Sequence, residues 1–323
     1  MTDLGFRCPR LGLCCLFFRQ PIRFRIRQAV HLRGCGRIDA LRQLADTCRA
    51  NAIALLAALE YCREHDIGCF RVNSRILPLK THPELGYAME DLPAAGELLT
   101  LFRRCGEFAR RHDIRLTLHP DQFVLLSSPS DKVTAASLAE LLYQNEVAEW
   151  IGADVINIHA GGVYGDKSAA LARLRRQVDG LPPDLRGRLS LENDDRLYAV
   201  AELLPLCRDL GLPLAYDVHH HRCLPDGLSV EEASVAAAAT WNREPLFHLS
   251  SPGEGWQGKN SRHHHEFIDP ADFPLCWLGR RLTVEVEAKA KELAVERLQA
   301  WLTPQGRTGS TGRVGPCWAE KGC

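Results

Sequence analysis

Histidine and the acidic residues carry the pattern that bears on chemistry. Ten of the 13 histidines fall in loops, in clusters or at the ends of apolar runs: His82, His119, His159, His248 and the runs 219–221 and 263–265. Any one of them alone is more ordinarily a satisfied core or surface residue. Carboxylates occupy matching positions. Glu192 closes Leu189-Ser190-Leu191-Glu192, Asp217 closes Pro213-Leu214-Ala215-Tyr216-Asp217, and Glu287 follows Val284-Glu285-Val286. A carboxylate at the end of an apolar run is costly to bury alone, and a metal or a paired base offsets that cost. Imidazoles and carboxylates on one rim suit divalent cations of the zinc or manganese type. Strand alternation puts Glu285 and Glu287 on one face, so a cation is expected there, with Lys289 as the simplest partner within the chain. Clustered metals activate water and stabilise charge on a phosphoryl group. They serve sugar isomerisation equally well, and the spacing permits both.

The elements that must position these residues read as an alternation. Short β-rich runs at 11–16, 69–72, 115–119, 155–159, 189–192, 214–217, 246–249 and 283–287 alternate with helical patterns. The helical stretches expected are 52–63, 98–111, 135–150, 167–178, 200–210 and 230–239. Strand–helix alternation argues for parallel pairing. Eight strands in 323 residues favour a closed (β/α)8 TIM barrel over an open sheet. In such a barrel the C-terminal strand ends share one face, and His119, His159, Glu192, Asp217, His248 and Glu287 all converge there. One domain over 1–302 is expected, with 303–323 as a Gly/Pro/Thr-rich flexible tail.

Composition narrows the class. The chain is 46% hydrophobic and 25% charged, as a globular protein is, which excludes wholesale disorder. Lys+Arg and Asp+Glu each number 40, so a globally basic nucleic-acid binder is excluded while a local basic groove is not. The 13 cysteines form no CxxC pair and suit a reducing compartment. No apolar run reaches the roughly 18 residues of a membrane span. The run at 11–18 is short for a signal segment and no small-residue cleavage site follows it. A cytoplasmic protein without membrane contact is the expectation.

Two further segments bear on partners. The loop from Gly161 to Lys167 follows His159, and its glycines let backbone N–H groups approach an anion. A plain turn is the alternative. Segment 7–33 holds seven arginines and no acidic residue. Within it Arg23, Arg25 and Arg27 alternate with Ile22, Phe24 and Ile26, which suits an extended arm with one basic side. A solvated charged edge is the alternative.

Taken together these residues resemble the ultraviolet damage endonuclease family of DNA repair enzymes, from about residue 10 to 302. The resemblance rests on Arg10-Leu11-Gly12, Leu118-His119-Pro120-Asp121-Gln122-Phe123, Ile158-His159-Ala160-Gly161-Gly162-Val163-Tyr164-Gly165-Asp166-Lys167 and Leu191-Glu192-Asn193-Asp194-Asp195-Arg196-Leu197. It continues through Asp217-Val218-His219-His220-His221, Phe247-His248-Leu249-Ser250-Ser251 and Val286-Glu287-Ala288-Lys289-Ala290-Lys291-Glu292. Their occurrence together and in order is what makes the resemblance specific.

The resemblance implies a (β/α)8 barrel with up to three divalent ions, generally Mn2+, with Mg2+, Zn2+ and Co2+ as alternatives. By position, His119, His159 and Glu192 would hold one ion. Glu192, Asp217, His248 and Glu287 would hold a second, and His220 and His264 a third. It implies hydrolysis of a phosphodiester immediately 5′ to pyrimidine dimers, 6-4 photoproducts or abasic sites by metal-activated water, leaving a 3′-hydroxyl and a 5′-phosphate. Glu192, His159, Glu287 and Lys167 are the expected catalytic group. Gln122, Phe123, Tyr164, Lys167, Arg23 and Arg25 are the expected contacts with damaged double-stranded DNA, and Gln122-Phe123 would wedge into the duplex. A monomer is expected, nucleoid-associated when bound to DNA. The chain departs from the family at Leu13, where an aromatic is frequent, and at Leu246, where some members carry a lysine. A metal-dependent sugar isomerase or epimerase, and a damage-binding protein that does not cut, are the alternative readings.

Overall fold

The computed structural model describes residues 8–303. Eight strands, β1 (Arg10–Cys14), β2 (Cys69–Val72), β3 (Arg115–Leu118), β4 (Val155–His159), β5 (Leu189–Glu192), β6 (Leu214–Asp217), β7 (Leu246–Leu249) and β8 (Thr283–Val286), pair in sequence order into a closed barrel. Every neighbour is parallel, and β8 returns to β1. The strands are apolar because parallel strands in a barrel are covered on both faces.

The helices are α1 (Arg37–Glu64), α2 (Ala95–Arg111), α3 (Asp131–Ile151), α4 (Lys167–Asp179), α5 (Pro183–Arg188), α6 (Val200–Leu210), α7 (Val218–Cys223), α8 (Val230–Ala238) and α9 (Glu292–Leu302). Helix α1 begins 15 residues before the expected start at 52. Its first half is rich in arginine and polar residues, and it is held by Ala40, Leu44, Ala45 and Cys48 packing inward. Helices α5, α7 and α9 were not expected from periodicity. The first two span six residues each, too few to display a helical period.

Three strand ends differ from expectation; β3 closes at Leu118, so that His119 stands one residue past it, and the other two are β1 and β8. Strand β1 stops at Cys14 because Cys15 turns into the left-handed region (φ 62°), which sends the chain sideways across the rim. Glu287 stands one residue past β8, yet its N–H still bonds the Leu249 carbonyl at 2.8 Å. The ladder therefore continues far enough to aim its side chain. The expected tail at 303–323 lies, apart from Thr303, outside the described residues.

The segment after β1 is tied down from two sides. Glu292, fully buried at the start of α9, accepts the backbone N–H groups of Phe18 (2.7 Å), Arg19 (2.7 Å) and Gln20 (3.2 Å). Asn51, buried in α1, accepts from the Arg25 N–H at 2.7 Å and donates to its carbonyl at 3.0 Å. Between these anchors the chain is extended. Ile22 and Phe24 pack towards the core, and Arg23 and Arg25 are exposed.

Candidate metal centre

The barrel register explains why the chemistry-bearing residues meet. His159 is paired with Glu192, Asp217 with His248, and His248 with Glu285. Parallel neighbours in a barrel carry these side chains to one end. Asp217 also caps α7, accepting the His220 N–H at 2.8 Å. That cap turns His220, and not His219 or His221, back over the strand end.

Glu192 is the centre of the cluster. Its carboxylate lies 2.9 Å from His119 Nε2, 3.8 Å from His159 Nε2, 3.3 Å from His220 Nδ1 and 3.2 Å from His248 Nδ1. Asp217 Oδ2 lies 3.5 Å from His220 and 3.9 Å from His248. Glu287 lies 3.5 Å from His248 Nδ1 and 3.7 Å from His264 Nδ1. Three overlapping groups have ligand atoms close enough for a shared ion: His119, Glu192 and His248; Glu192, Asp217 and His220; Asp217, His248 and Glu287. His220 thus sits with Glu192 and Asp217, while His264 stands at the edge, its ring against that of His219. Depth is graded. Glu192, Asp217 and His248 form a closed floor, and His159 and His264 reach solvent.

The donor set fits divalent ions. Asp217 Oδ2, His159 Nδ1 and His248 Nδ1 are buried and make no hydrogen bond among the described residues. Buried donors and acceptors are otherwise almost always paired. Nitrogen and carboxylate oxygen together suit manganese- or zinc-like ions. Supporting residues hold the ligands in place. Asn157 donates to Glu192 Oε2 at 2.6 Å and is itself fixed by Ser190 at 2.8 Å. Asn193 clamps the Asp217 backbone from both sides at 2.9 Å. Such outer partners orient metal ligands.

Protons and carboxylates are balanced against each other here. Burial alone would push the Glu192 carboxyl up, but His248, His159, His119 and His220 outweigh it and hold it well below the usual range. Burial likewise opposes a charged His220, yet Asp217 and Glu192 raise it well above an ordinary imidazole. His248 is lifted to about 10, its burial outweighed by Glu192 and Glu285. His159 goes the other way, because desolvation on its buried Nδ1 side outweighs Glu192 although the ring edge reaches solvent.

The cation expected opposite Glu285 and Glu287 is Arg71, not Lys289. Arg71 is buried beneath the cluster, bonds Glu285, and lies 2.6 Å from Glu287. Glu285 also accepts from Thr117 and lies 3.2 Å from His248 Nε2. With Arg71 and His248 outweighing burial, its carboxyl falls to about 2. Gly12 makes the room. A Cβ there would come within 3.2 Å of Glu285 Cγ and 3.1 Å of Cys69 Cβ. Glu285 is therefore satisfied by protein groups, and Glu287 is the β8 carboxylate left facing the ligands. Nothing local in Cys69-Phe70-Arg71-Val72 announces this role. Asn157 did carry a signal, since alternation places it on the His159 face of β4.

Around this floor stand the expected DNA contacts. Gln122 and Phe123 occupy a turn just after His119-Pro120, and Phe123 is 71% exposed while Val124 beside it is buried. Tyr164 is half exposed in the loop after His159. Arg23 and Arg25 lie on the extended arm, and among the described residues no carboxylate pairs with them. Lys167 is not brought to the cluster. Its ammonium is 2.7 Å from Glu202 at the outer edge, above the Tyr198 ring.

Comparison with known proteins places this arrangement. A family model described as UV-endonuclease UvdE matches residues 9–308. A UV DNA damage endonuclease of Bacillus pumilus is 34% identical over 267 residues, which is 79% of this chain and 81% of that protein. The crystal structure of SacUVDE superposes with a TM-score of 0.79 at 24% identity, covering 90% of this chain and 97% of that one. A D-psicose 3-epimerase from Clostridium cellulolyticum shares the barrel, with a TM-score of 0.54 at 12% identity over 89% of this chain and 94% of that one. The epimerase likeness shows the fold alone, whereas the family match runs through every strand end that carries a candidate ligand, and on that ground the chain belongs to the UV-endonuclease UvdE family.

Proposed function

We propose that this endonuclease nicks damaged duplex DNA immediately 5′ to the lesion, leaving a 3′-hydroxyl and a 5′-phosphate, with pyrimidine dimers, 6-4 photoproducts and abasic sites as substrates. The observation that carries the reading is the buried Glu192 among four imidazoles, with Asp217 and Glu287 beside it, at a rim that also bears an exposed Phe123 and a basic arm. His119, His159, Glu192, Asp217, His220, His248, Glu287 and His264 would hold divalent ions, Mn2+ by preference. Bound there, the ions supply an activated water and positive charge for the phosphoryl oxygens. The chain does the rest. Asn157 and Asn193 keep the ligands aimed, and Arg71 balances the inner carboxylates. Gln122 and Phe123 enter the stack where damage has weakened it, and the displaced bases turn towards the metal rim. Arg23 and Arg25 meet backbone phosphates, which makes binding fall steeply with salt. Tyr164 lines the approach. The enzyme acts as a cytoplasmic monomer, since a duplex must reach an open rim. A sugar epimerase on this barrel has no use for an exposed wedge or a basic arm.

The test is a nicking assay on a duplex with one cyclobutane dimer, with Mn2+ and with chelator. The expected product is one cut directly 5′ of the dimer, with an extendable 3′ end, seen only with metal. Glu192→Ala is expected to abolish cutting and keep most duplex binding. Equal cutting of undamaged duplex, or cutting that survives the Glu192 change, overturns the reading.

A further inference from the structure

With Arg71 supplying the cation for Glu285 and Glu287, Lys289 and Lys291 are left without a carboxylate partner among the described residues. Both line a cavity of about 190 Å3 together with Cys14, Cys15, Arg71, His264, Glu287 and Ala288. The cavity shares two walls with the metal centre, His264 and Glu287, and opens on its β8–β1 side. Its cations are not cancelled by its acids. Glu287 is answered by Arg71 at 2.6 Å, and the neighbouring Glu292 carboxylate is turned away onto the N–H groups of Phe18, Arg19 and Gln20. The backbone is strained on both sides of it. Cys15 (φ 62°) and Lys291 (φ 50°) are non-glycine residues in the left-handed region, and each stands on one of the two loops that meet at the cavity. Such strain persists where surrounding structure over-determines it, and it gathers at binding sites. Lys291 is also the N-cap of the 11-residue α9, whose first turn carries Glu292, so the lysine side chains and not the helix end supply the positive field.

We propose that this cavity is a second anion subsite, which takes a phosphodiester of the cut strand neighbouring the one at the metal centre, with Lys291 and Lys289 as its cations. A strand offers the next phosphate about 3.4 Å further along the helix axis per nucleotide. Holding it fixes the register of the scissile phosphate over Glu192. The inference rests on the nuclease reading above.

The experiment uses the full chain and its Lys291→Met and Lys289→Met variants, each checked for unchanged metal content and thermal midpoint. Binding of a dimer-containing duplex is measured against NaCl in chelator, where the metals contribute nothing. Each change is expected to lower the slope of log K against log salt by about 1. Cutting with Mn2+ is then measured on duplexes carrying a neutral methylphosphonate at successive positions beside the cut. At one position the neutral group slows the wild-type enzyme and adds no further loss to Lys291→Met. Unchanged salt slopes in both variants, or losses that add at every position, overturn the subsite. Should Lys291→Met lose metal or stability, the exposed Lys289 decides the matter alone. Failure of the wild-type enzyme to cut the unmodified lesion duplex defeats the nuclease reading instead, so the two failures are distinct.

Discussion

Removing the guanidinium of Arg71 leaves the buried Glu285 and the partly buried Glu287 with only imidazoles and the Thr117 hydroxyl to answer them. Breaking a buried ion pair from one side costs about 3–5 kcal/mol, because the remaining charge stays desolvated. Arg71→Met is therefore expected to lose about that much stability in chelator at neutral pH, read by urea unfolding. Added Mn2+ recovers part of the loss by supplying positive charge to Glu287. Acid does the same by neutralising carboxylates that Arg71 otherwise holds depressed. A loss of under about 1 kcal/mol, the scale of a surface ion pair, would mean that Arg71 is not the balancing charge. The same residue shows why the floor of the site was hard to see beforehand. A lone arginine inside a short apolar run has no local marker, and its partners lie on β8 and β7, more than 170 residues away. The strand-end histidines and acids were legible because each closes an apolar run.

At the scale of elements, the anchors of the β1–α1 segment are the feature with a measurable consequence. Glu292→Ala removes the acceptor of three backbone N–H groups at once, each worth about 1–3 kcal/mol when stranded, though water reaches this loop and reduces that figure. The expected result is faster amide exchange at Phe18, Arg19 and Gln20 and weaker duplex binding, with metal content unchanged. Exchange rates equal to those of the parent chain would show that Asn51 alone holds the arm. Most of the element order was readable from the sequence, because apolar runs and amphipathic stretches alternate in step with the fold. The exceptions have physical reasons. The first half of α1 is too polar to show its stripe, and α7 is too short to have one. The histidine run after Asp217 is ambiguous by itself. Only the cap that Asp217 forms on α7 decides that the third residue onward, His220, is the one turned inward. The arm was legible through its alternation, but the buried acid and amide that hold it come from α9 and α1.

The whole molecule divides its charge between the two ends of the barrel. At the N-terminal end, a cleft of about 490 Å3 is lined by Arg10, Arg115, Asp113, Asp154 and Glu244, and these close on one another as ion pairs. At the other end the arm and the lysines beside β8 leave positive charge facing outward, above carboxylates waiting for cations. In the metal-free protein protons occupy that role. Despite burial, Asp217 and Glu192 raise His220 well above an ordinary imidazole and Glu192 and Glu285 lift His248 to about 10, which favours the protonated rings at neutral pH. A ligand imidazole must be neutral, so metal binding expels protons and is linked to pH. The sign follows. As pH rises there are fewer protons to displace, and apparent affinity grows by about one decade per pH unit for each proton released. Titration calorimetry of the chelator-treated chain with Mn2+, in two buffers of different ionisation enthalpy, reads the proton count directly. A net release near neutral pH is expected, with affinity climbing from about pH 6 to about pH 8. No release and a flat affinity over that range would mean that His220 and His248 are neutral before the metal arrives. The charge they share with Glu192 would then have to be carried by Arg71 alone.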